Sequence, residues 1–290
     1  MSFFELLASP IVRYPLIIAV LVGLTAPVVG TYLVQKRLSL LGDGLGHVAL
    51  TGVAIGWLAS SIFSLGSANA LAVPGALVAA LVGAILIEYV REVGHTSRDT
   101  ALAILFYGGI AGGVVIIQMA GGTSQSLMGY LFGSLATVTG ADVWIAAVLA
   151  AAVLIVGVGI RPLLFAVTSD EEHAQAIGLP VRAVNVLIAI MAALTVTLAM
   201  RIVGALMVSA LMIVPVAAAQ MFVRGFARTM SLGMGIGVLC AVAGLMTTIY
   251  IDLPPGGVIV LLAIGVYILG VLASAIIPRR HRHDHAPERA

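Results

Sequence analysis

Long apolar stretches separated by short polar breaks fill almost the whole chain. A helix needs about 20 consecutive apolar residues to cross a bilayer, where the backbone must satisfy its own hydrogen bonds. We count nine such stretches, with a range of eight to ten, because only Arg201 divides 183–222. They are 16–34, 44–63, 70–90, 100–120, 141–160, 183–200, 203–222, 230–250 and 256–277. The pattern predicts an all-α integral membrane protein, a polytopic bundle of about nine transmembrane helices within residues 1–278.

The composition excludes a water-soluble fold. Hydrophobic residues make up 61% of the 290 residues and charged residues only 9%, against roughly 25% charged in an average soluble domain. Membrane lipid is therefore the first expected partner. The net charge of +2 is too small to indicate nucleic acid as a partner.

The basic residues lie mainly on one side of this predicted bundle. With the N-terminus outside and nine helices following, the cytoplasmic segments hold twelve of the fourteen basic residues, leaving only Arg13 and Arg201 elsewhere. The twelve are Lys36, Arg37, Arg91, Arg98, Arg161, Arg182, Arg224, Arg228, Arg279, Arg280, Arg282 and Arg289. This asymmetry follows the positive-inside rule, so we expect the N-terminus outside and the C-terminus in the cytoplasm.

The cytoplasmic segment 161–182 carries the signals of a short helix of its own, at about 168–180. The signals are a cap at Ser169 or Asp170, acids in the first turn at Glu171 and Glu172, and a stop at Gly178 followed by Pro180. A capped helix in this place suits docking of a partner protein. A plain connection between two membrane helices is the alternative.

The C-terminal segment 279–290 is rich in histidine and arginine, with His281, His283 and His285 at alternate positions. We expect a disordered cytoplasmic tail whose basic residues serve the positive-inside rule. Short histidine-rich tracts can also bind zinc or nickel loosely, which makes these three histidines weak metal candidates.

Asp43 and His47 are the strongest candidates for chemistry, because ionisable residues at membrane depth are costly and usually functional. Four residues apart, they share one helix face, with Cβ atoms about 5–6 Å from each other. A carboxylate with an imidazole suits zinc, manganese or ferrous iron. Two ligands make an incomplete site, which fits an ion that must also leave, and a homodimer could bring two pairs together.

Simpler interpretations of these residues stay open at this point. Asp43 can be a helix N-cap, and His47 a core histidine bonded to a backbone carbonyl. Glu88, Asp142 and Asp252 lie near predicted helix ends, where we expect contact with headgroups or water. Glu88 is a weak second metal candidate.

The chain has no recognisable energy source or catalytic motif. A P-loop needs a lysine followed by Ser or Thr, whereas the single lysine, Lys36, is followed by Arg37. No His-Glu-x-x-His or Gly-x-Ser-x-Gly motif occurs either, so we expect no enzyme. Transport would need an ion gradient or a separate ATPase, and the scarcity of charged relays favours the ATPase. The alternatives are a gradient-driven cation carrier and a membrane scaffold without transport.

The sequence 37–54, Arg-Leu-Ser-Leu-Leu-Gly-Asp-Gly-Leu-Gly-His-Val-Ala-Leu-Thr-Gly-Val-Ala, resembles the second-helix signature of the zinc/manganese/iron ABC transporter permease family (ABC-3). Further segments resemble that family in the same order, so the resemblance spans nearly the whole chain. They are 99–106, 131–135, 170–178, 194–215 and 252–256. A local departure is Gly44 and Gly46, where many relatives carry alanine and serine, and we expect it to loosen that helix turn.

The resemblance implies a homodimeric permease in a prokaryotic inner membrane, similar in fold to vitamin B12 and siderophore importers. It implies two further partners, a cytoplasmic ABC ATPase and an extracytoplasmic metal-binding protein. Asp43 and His47 would line the metal path, with no permanently bound cofactor. The family's ATPase-contacting helix matches Asp170, Glu171, Glu172, Ala174 and Gly178. We expect zinc as cargo because of the histidine-rich tail, with manganese next and iron after it.

Overall fold

The computed structural model describes residues 9–63, 71–93, 98–121, 124–134, 138–251 and 253–276. Within these ranges the chain forms twelve helices and no strand. The helices are α1 (Pro10–Gln35), α2 (Leu41–Ile62), α3 (Ala72–Val93), α4 (Arg98–Met119), α5 (Ser124–Phe132), α6 (Gly140–Gly159), α7 (Arg161–Ser169), α8 (Glu171–Ala176), α9 (Val181–Ala199), α10 (Val208–Phe222), α11 (Phe226–Tyr250) and α12 (Pro255–Ile276).

The predicted all-α membrane fold is confirmed. Among the described residues, eight helices are long and apolar enough to cross a membrane, namely α1, α2, α3, α4, α6, α9, α11 and α12. The ninth apolar stretch, 203–222, yields the shorter helix α10 of 15 residues. The chain is thus a multi-pass helical bundle.

Helix α1 lies at the centre of the bundle and packs against α6, α9, α10 and α11. Of the residues in the apolar membrane-spanning segment of α1, 72% are buried, whereas in the corresponding segments of α4 and α6 only 22% are buried. Helix α2 packs against α3 and α4, and α9 contacts both groups. The inner helices α1, α2 and α9 therefore form the core, and the outer ones present apolar surface to their surroundings.

The backbone leaves the helical path at 200–207, between α9 and α10. The amide of Ala205 donates to the carbonyl of Tyr130 at the end of α5, at 2.9 Å. Gly204 has a φ of +84°, and a Cβ there would lie 2.2 Å from the carbonyl oxygen of Leu131. Non-helical backbone is tolerated in an apolar region when it is buried in protein. This packing explains why stretch 203–222 gives a short helix.

Asp142 does not occupy the environment we expected from its place at a helix end. Its carboxylate accepts a 2.7 Å hydrogen bond from Arg201, and both side chains are only 12% exposed. The same carboxylate accepts from the amide and hydroxyl of Thr139, which caps α6. The expectation of headgroup or water contact was therefore wrong for Asp142, because the fold brings a buried guanidinium to it. Asp252 lies outside the described residues.

Segment 161–182 contains two helices that meet at Asp170, and the helix predicted at about 168–180 corresponds to the shorter α8. Asp170 ends α7 and caps α8, accepting a 2.9 Å hydrogen bond from the amide of His173. After α8, Gly178 adopts a φ of +80°, and the amide of Leu179 donates back to the carbonyl of Ala174. These bonds form the glycine C-cap that the sequence predicts. The tail 279–290 lies outside the described residues.

Candidate functional site

Asp43 and His47 lie on the first two turns of α2, one helical turn apart on the same face. The helix begins at Leu41, and its N-cap position is Leu40, which makes no side-chain capping bond. Asp43 is therefore not the N-cap, although its charge suits the positive end of the helix dipole. The helix continues regularly through Gly44 and Gly46, contrary to the loosened turn we expected there.

The carboxylate of Asp43 is held from another helix. Its Oδ1 accepts a short hydrogen bond from the hydroxyl of Ser209, at the start of α10, 166 residues away in sequence. Ser209 is buried and Asp43 half-buried. An ionised carboxylate has about four acceptor positions, so this bond orients Asp43 and still leaves capacity for a cation.

His47 is buried, with 3% of its surface exposed. Its Nδ1 atom has no hydrogen-bond partner among the described residues. The ring packs edge-on against Phe106 of α4, with ring centroids 4.4 Å apart. A buried polar atom left without a partner costs about 1–3 kcal/mol. The core-histidine interpretation, in which a backbone carbonyl satisfies the ring, therefore does not account for this nitrogen.

A cavity of about 250 Å³ lies beside the carboxylate. Asp43 is the one charged residue among those that line it, and Phe106 both lines it and packs against the ring of His47. The lining residues are Leu40, Asp43, Leu102, Ala103, Phe106 and Tyr107. Phe106 thus contacts both the cavity and the ring of His47, which is not itself a lining residue.

Two glycines bring backbone close to this part of α2. A Cβ on Gly109 of α4 would lie 2.7 Å from the carbonyl carbon of His47, and the hydroxyl of Thr51 donates to the Gly109 carbonyl at 2.6 Å. A Cβ on Gly46 would lie 2.7 Å from the carbonyl oxygen of Ala205. The absence of side chains at both positions lets α2 fit between α4 and segment 200–207.

The structure adds no further acidic, histidine or cysteine ligand to this pair. No group of three or more such residues occurs where the structure describes the chain. Glu88 is half-buried on α3 and does not line the cavity. His281, His283 and His285 lie outside the described residues. Among the described residues, Asp43 and His47 therefore remain the two candidate ligands that the spacing predicts.

Glu171, predicted to contact a partner, faces into the protein. Its Oε1 lies 2.5 Å from Nζ of Lys36 and accepts a 3.1 Å hydrogen bond from Nδ2 of Asn185. Lys36 also donates to Oδ1 of Asn185. The Lys36 side chain is 4% exposed and that of Glu171 29% exposed. We call Lys36, Glu171 and Asn185 the cytoplasmic triad.

The other residues predicted to contact the ATPase, at 170–178, differ in how far they are buried. Ala174 is 1% exposed and packs in the protein's own core. Asp170, Glu172 and Gly178 are exposed, together with Ile177, which is 59% exposed. The exposed face of α8 therefore combines Glu172 with a large apolar side chain, and we call Glu172, Gln175, Ile177 and Gly178 the α8 surface.

Sequence reasoning missed three residues of these two sites, Ser209, Phe106 and Asn185. Ser209 is the lone hydroxyl in stretch 203–222, and Asn185 is the lone amide in 183–200. Isolated polar side chains in apolar stretches are the signal that could have identified both. Phe106 carries no such signal, because an aromatic residue in an apolar helix is ordinary.

A multi-pass helical bundle with a carboxylate and a buried imidazole one turn apart on an inner helix is typical of membrane transport proteins. The model of the ABC 3 transport family matches residues 9–274, so the chain belongs to the ABC 3 transport family. It is accordingly a permease subunit of an ABC transporter and not an enzyme.

Relatives and solved structures agree with this membership. The chain is 30% identical to the manganese transport system membrane protein MntC of Halalkalibacterium halodurans, covering 99% of this chain and 96% of the relative. It is 29% identical to the manganese import system permease protein ScaB of Streptococcus parasanguinis, covering 93% and 92%. The structure of PsaBC from Streptococcus pneumoniae in complex with Fab matches with a TM-score of 0.80 and 29% identity, over 93% of this chain and 94% of that one.

A more distant structure shares the fold alone. An inward-facing metal-chelate type ABC transporter matches with a TM-score of 0.58 and 14% identity, over 90% of this chain and 85% of that one. The likeness supports the expected similarity to importers of larger metal complexes at the level of helix arrangement. It carries no argument about the cargo.

Proposed function

We propose that this chain is the permease of an importer for a divalent transition metal ion, and that Asp43 and His47 contact the ion during passage. The observation that carries the proposal is the buried imidazole of His47, with Nδ1 unpartnered, one turn from a carboxylate beside a cavity. A buried polar atom without a partner is rare in native structures and calls for an explanation. A cation taken up transiently supplies one.

The donor set does not separate manganese from zinc, so we place manganese first because of the relatives. Asp43 and Ser209 offer oxygen and His47 offers nitrogen, a combination that suits manganese and also zinc. The one cysteine, Cys240, is buried in α11, away from these residues. The curated relatives reported above are manganese permeases. The earlier preference for zinc rested on the histidine-rich tail, so we place manganese first and zinc second.

A second copy of the chain would complete the site. Two ligands hold an ion weakly enough to release it, and a homodimer would place a second pair along the same path. Tyr107 lines the cavity and is 69% exposed on the apolar surface of α4. This face of α4 is therefore available to a second copy, which would enclose the cavity between protomers.

A separate cytoplasmic ATPase would drive transport by docking on the α8 surface. An extracytoplasmic metal-binding protein would deliver the ion on the other side of the membrane.

The proposed topology has nine membrane crossings, counting the short α10, with the N-terminus outside and the C-terminus inside. It treats residues 1–278 as the permease domain and 279–290 as a cytoplasmic tail. Reporter fusions at the C-terminus test the orientation, because an alkaline phosphatase fusion should be inactive and a fluorescent protein fusion bright.

Manganese uptake by cells that depend on this permease tests the function. Asp43→Asn and His47→Ala should each lower uptake by at least ~10-fold, with the protein still present in the membrane. Thr25→Val is the control, because it removes a buried hydroxyl of α1 whose hydrogen bonds run to the carbonyls of Leu21 and Val22 in its own helix, and it should leave uptake within about two-fold of wild type.

Two results would contradict the proposal. Unchanged uptake of both manganese and zinc in Asp43→Asn and His47→Ala would remove the ligand role. Uptake that persists in vesicles without any ATPase would instead support a gradient-driven cation carrier.

A further inference from the structure

The single lysine of the chain is buried at the cytoplasmic triad. Lys36 is 4% exposed and pairs with Glu171, and Asn185 bonds to both. Removing an ammonium from water is expensive, and the loss is offset only when the charge is paired and hydrogen-bonded. A lysine that only supplied positive charge at the membrane surface would not need to be buried and paired, so we look for a further role for the triad.

The three residues belong to three different elements. Lys36 is the C-cap of α1, Glu171 is the first residue of α8, and Asn185 lies on α9. The α8 surface faces outward from the same short helix. Any displacement of α8 therefore acts on the ends of α1 and α9 through one charged contact.

The chain leads directly from the triad to the proposed metal ligands. Asp43 follows Lys36 by seven residues, and the connection begins with a tight turn. The amide of Leu38 donates to the carbonyl of Leu33 at 2.8 Å, and Arg37 adopts a φ of 57°. This hydrogen-bonded turn gives the end of α1 and the start of α2 little freedom to move independently.

We infer that the cytoplasmic triad is the mechanical link between the ATPase-docking helix and the first turn of α2, with Glu171 as a positioning residue. Glu171 then transmits the movement of α8 to α1 and so to Asp43, while the α8 surface makes the docking contact. This inference rests on the proposed function and goes beyond it, because the resemblance assigns Glu171 to the docking contact itself.

The test compares Glu171→Gln with Glu172→Gln, neighbouring acids on one helix of which only the first belongs to the triad. The permease is purified with its ATPase, reconstituted in liposomes and supplied with its metal-binding protein and manganese. Three quantities are measured: ATPase retained on the permease, stimulation of ATP hydrolysis by the binding protein, and manganese imported per ATP hydrolysed.

For Glu171→Gln we expect ATPase retention within two-fold of wild type and roughly five-fold less manganese per ATP. Glu172→Gln, a change in the α8 surface itself, should lower ATPase retention while the complexes that do form import as much manganese per ATP as wild type. Loss of the ATPase from Glu171→Gln would overturn the inference, because Glu171 would then be a docking contact. An unchanged ratio of manganese to ATP would overturn it as well.

Two variants that keep both charges guard against misfolding. Glu171→Asp shortens the link, and Lys36→Arg replaces the ammonium with a larger planar guanidinium. Both should lower manganese per ATP by a smaller factor, and wild-type ratios in both would overturn the inference. If wild-type complex imports no manganese, the proposed cargo is wrong. The inference is then tested by the stimulation of ATP hydrolysis by the binding protein. Loss of this stimulation in Glu171→Gln would support coupling between the docking helix and α2, and its retention would overturn the inference.

Discussion

Two polar clusters, one at the end of α1 and one at the start of α2, differ in how their polar atoms are satisfied. At Asp43 and His47, a carboxylate is held by one hydroxyl and a buried imidazole nitrogen has no partner in the described structure. At the cytoplasmic triad, the lysine, the carboxylate and the amide all bond to one another. Satisfied buried networks rigidify a fold, whereas unsatisfied groups suit binding. The comparison separates the proposed contact for a passing ion, where acceptor capacity is left over, from a network that fixes helices together.

The largest expected effect comes from breaking the triad. Lys36→Met removes the ammonium that pairs with Glu171 and should lower the free energy of unfolding by about 2–3 kcal/mol, because a charge-assisted hydrogen bond is lost at a partly buried carboxylate. The double variant Lys36→Met/Glu171→Met should recover most of that loss. Unfolding of the purified protein in mixed micelles measures both changes. Equal losses of unfolding free energy in the single and double variants would contradict the pairing of Lys36 with Glu171.

The next effect concerns the fit of α4 against His47. Gly109→Ala places a Cβ 2.7 Å from the His47 carbonyl carbon, so it should cost about 1–3 kcal/mol and lower manganese uptake. Gly108→Ala is the matched control, because a Cβ there meets nothing within 4 Å. Manganese uptake is measured for both variants at equal amounts of permease in the membrane. Equal uptake would show that the α2–α4 approach does not shape the site.

A smaller effect is expected at Ser209, which orients Asp43. Ser209→Ala removes one hydrogen bond, worth about 1 kcal/mol, and should lower manganese uptake by ~10-fold, as the loss of a group supporting a ligand does. The control Thr197→Val removes a buried hydroxyl that bonds only within its own helix, to the carbonyl of Ala193. A drop in uptake of the same size for Thr197→Val would mean that Ser209 acts through general packing.

The smallest change in stability is expected at His47, and it sharpens the contrast with the triad. His47→Leu abolishes uptake yet should leave the free energy of unfolding unchanged or raise it by about 1 kcal/mol, because the variant removes a buried nitrogen without a partner. Unfolding in the same micelles measures this. A loss comparable to that of Lys36→Met would show that His47 is a structural residue.

Much of the helix arrangement could be predicted, because crossing a membrane imposes local requirements. Each of the nine apolar stretches corresponds to a helix, and the cap at Asp170 and the stop at Gly178 are present. Arg201 indicated a break between two stretches, but the extent of the non-helical segment 200–207 could not be predicted, because it depends on a backbone fit against α5. The pairing of Asp142 with Arg201 was missed for the same reason, because the two side chains meet only after folding.

The sequence by itself determined the membrane class, the family resemblance and the pairing of Asp43 with His47 on one helix face. These properties depend on hydropathy and on spacing within a single helix, which neighbouring residues set. Only the tertiary structure decided that Ser209 holds Asp43, that Phe106 covers His47 and that Glu171 pairs with Lys36. Each of these contacts joins separate helices, and the position of one helix against another depends on packing across the whole bundle.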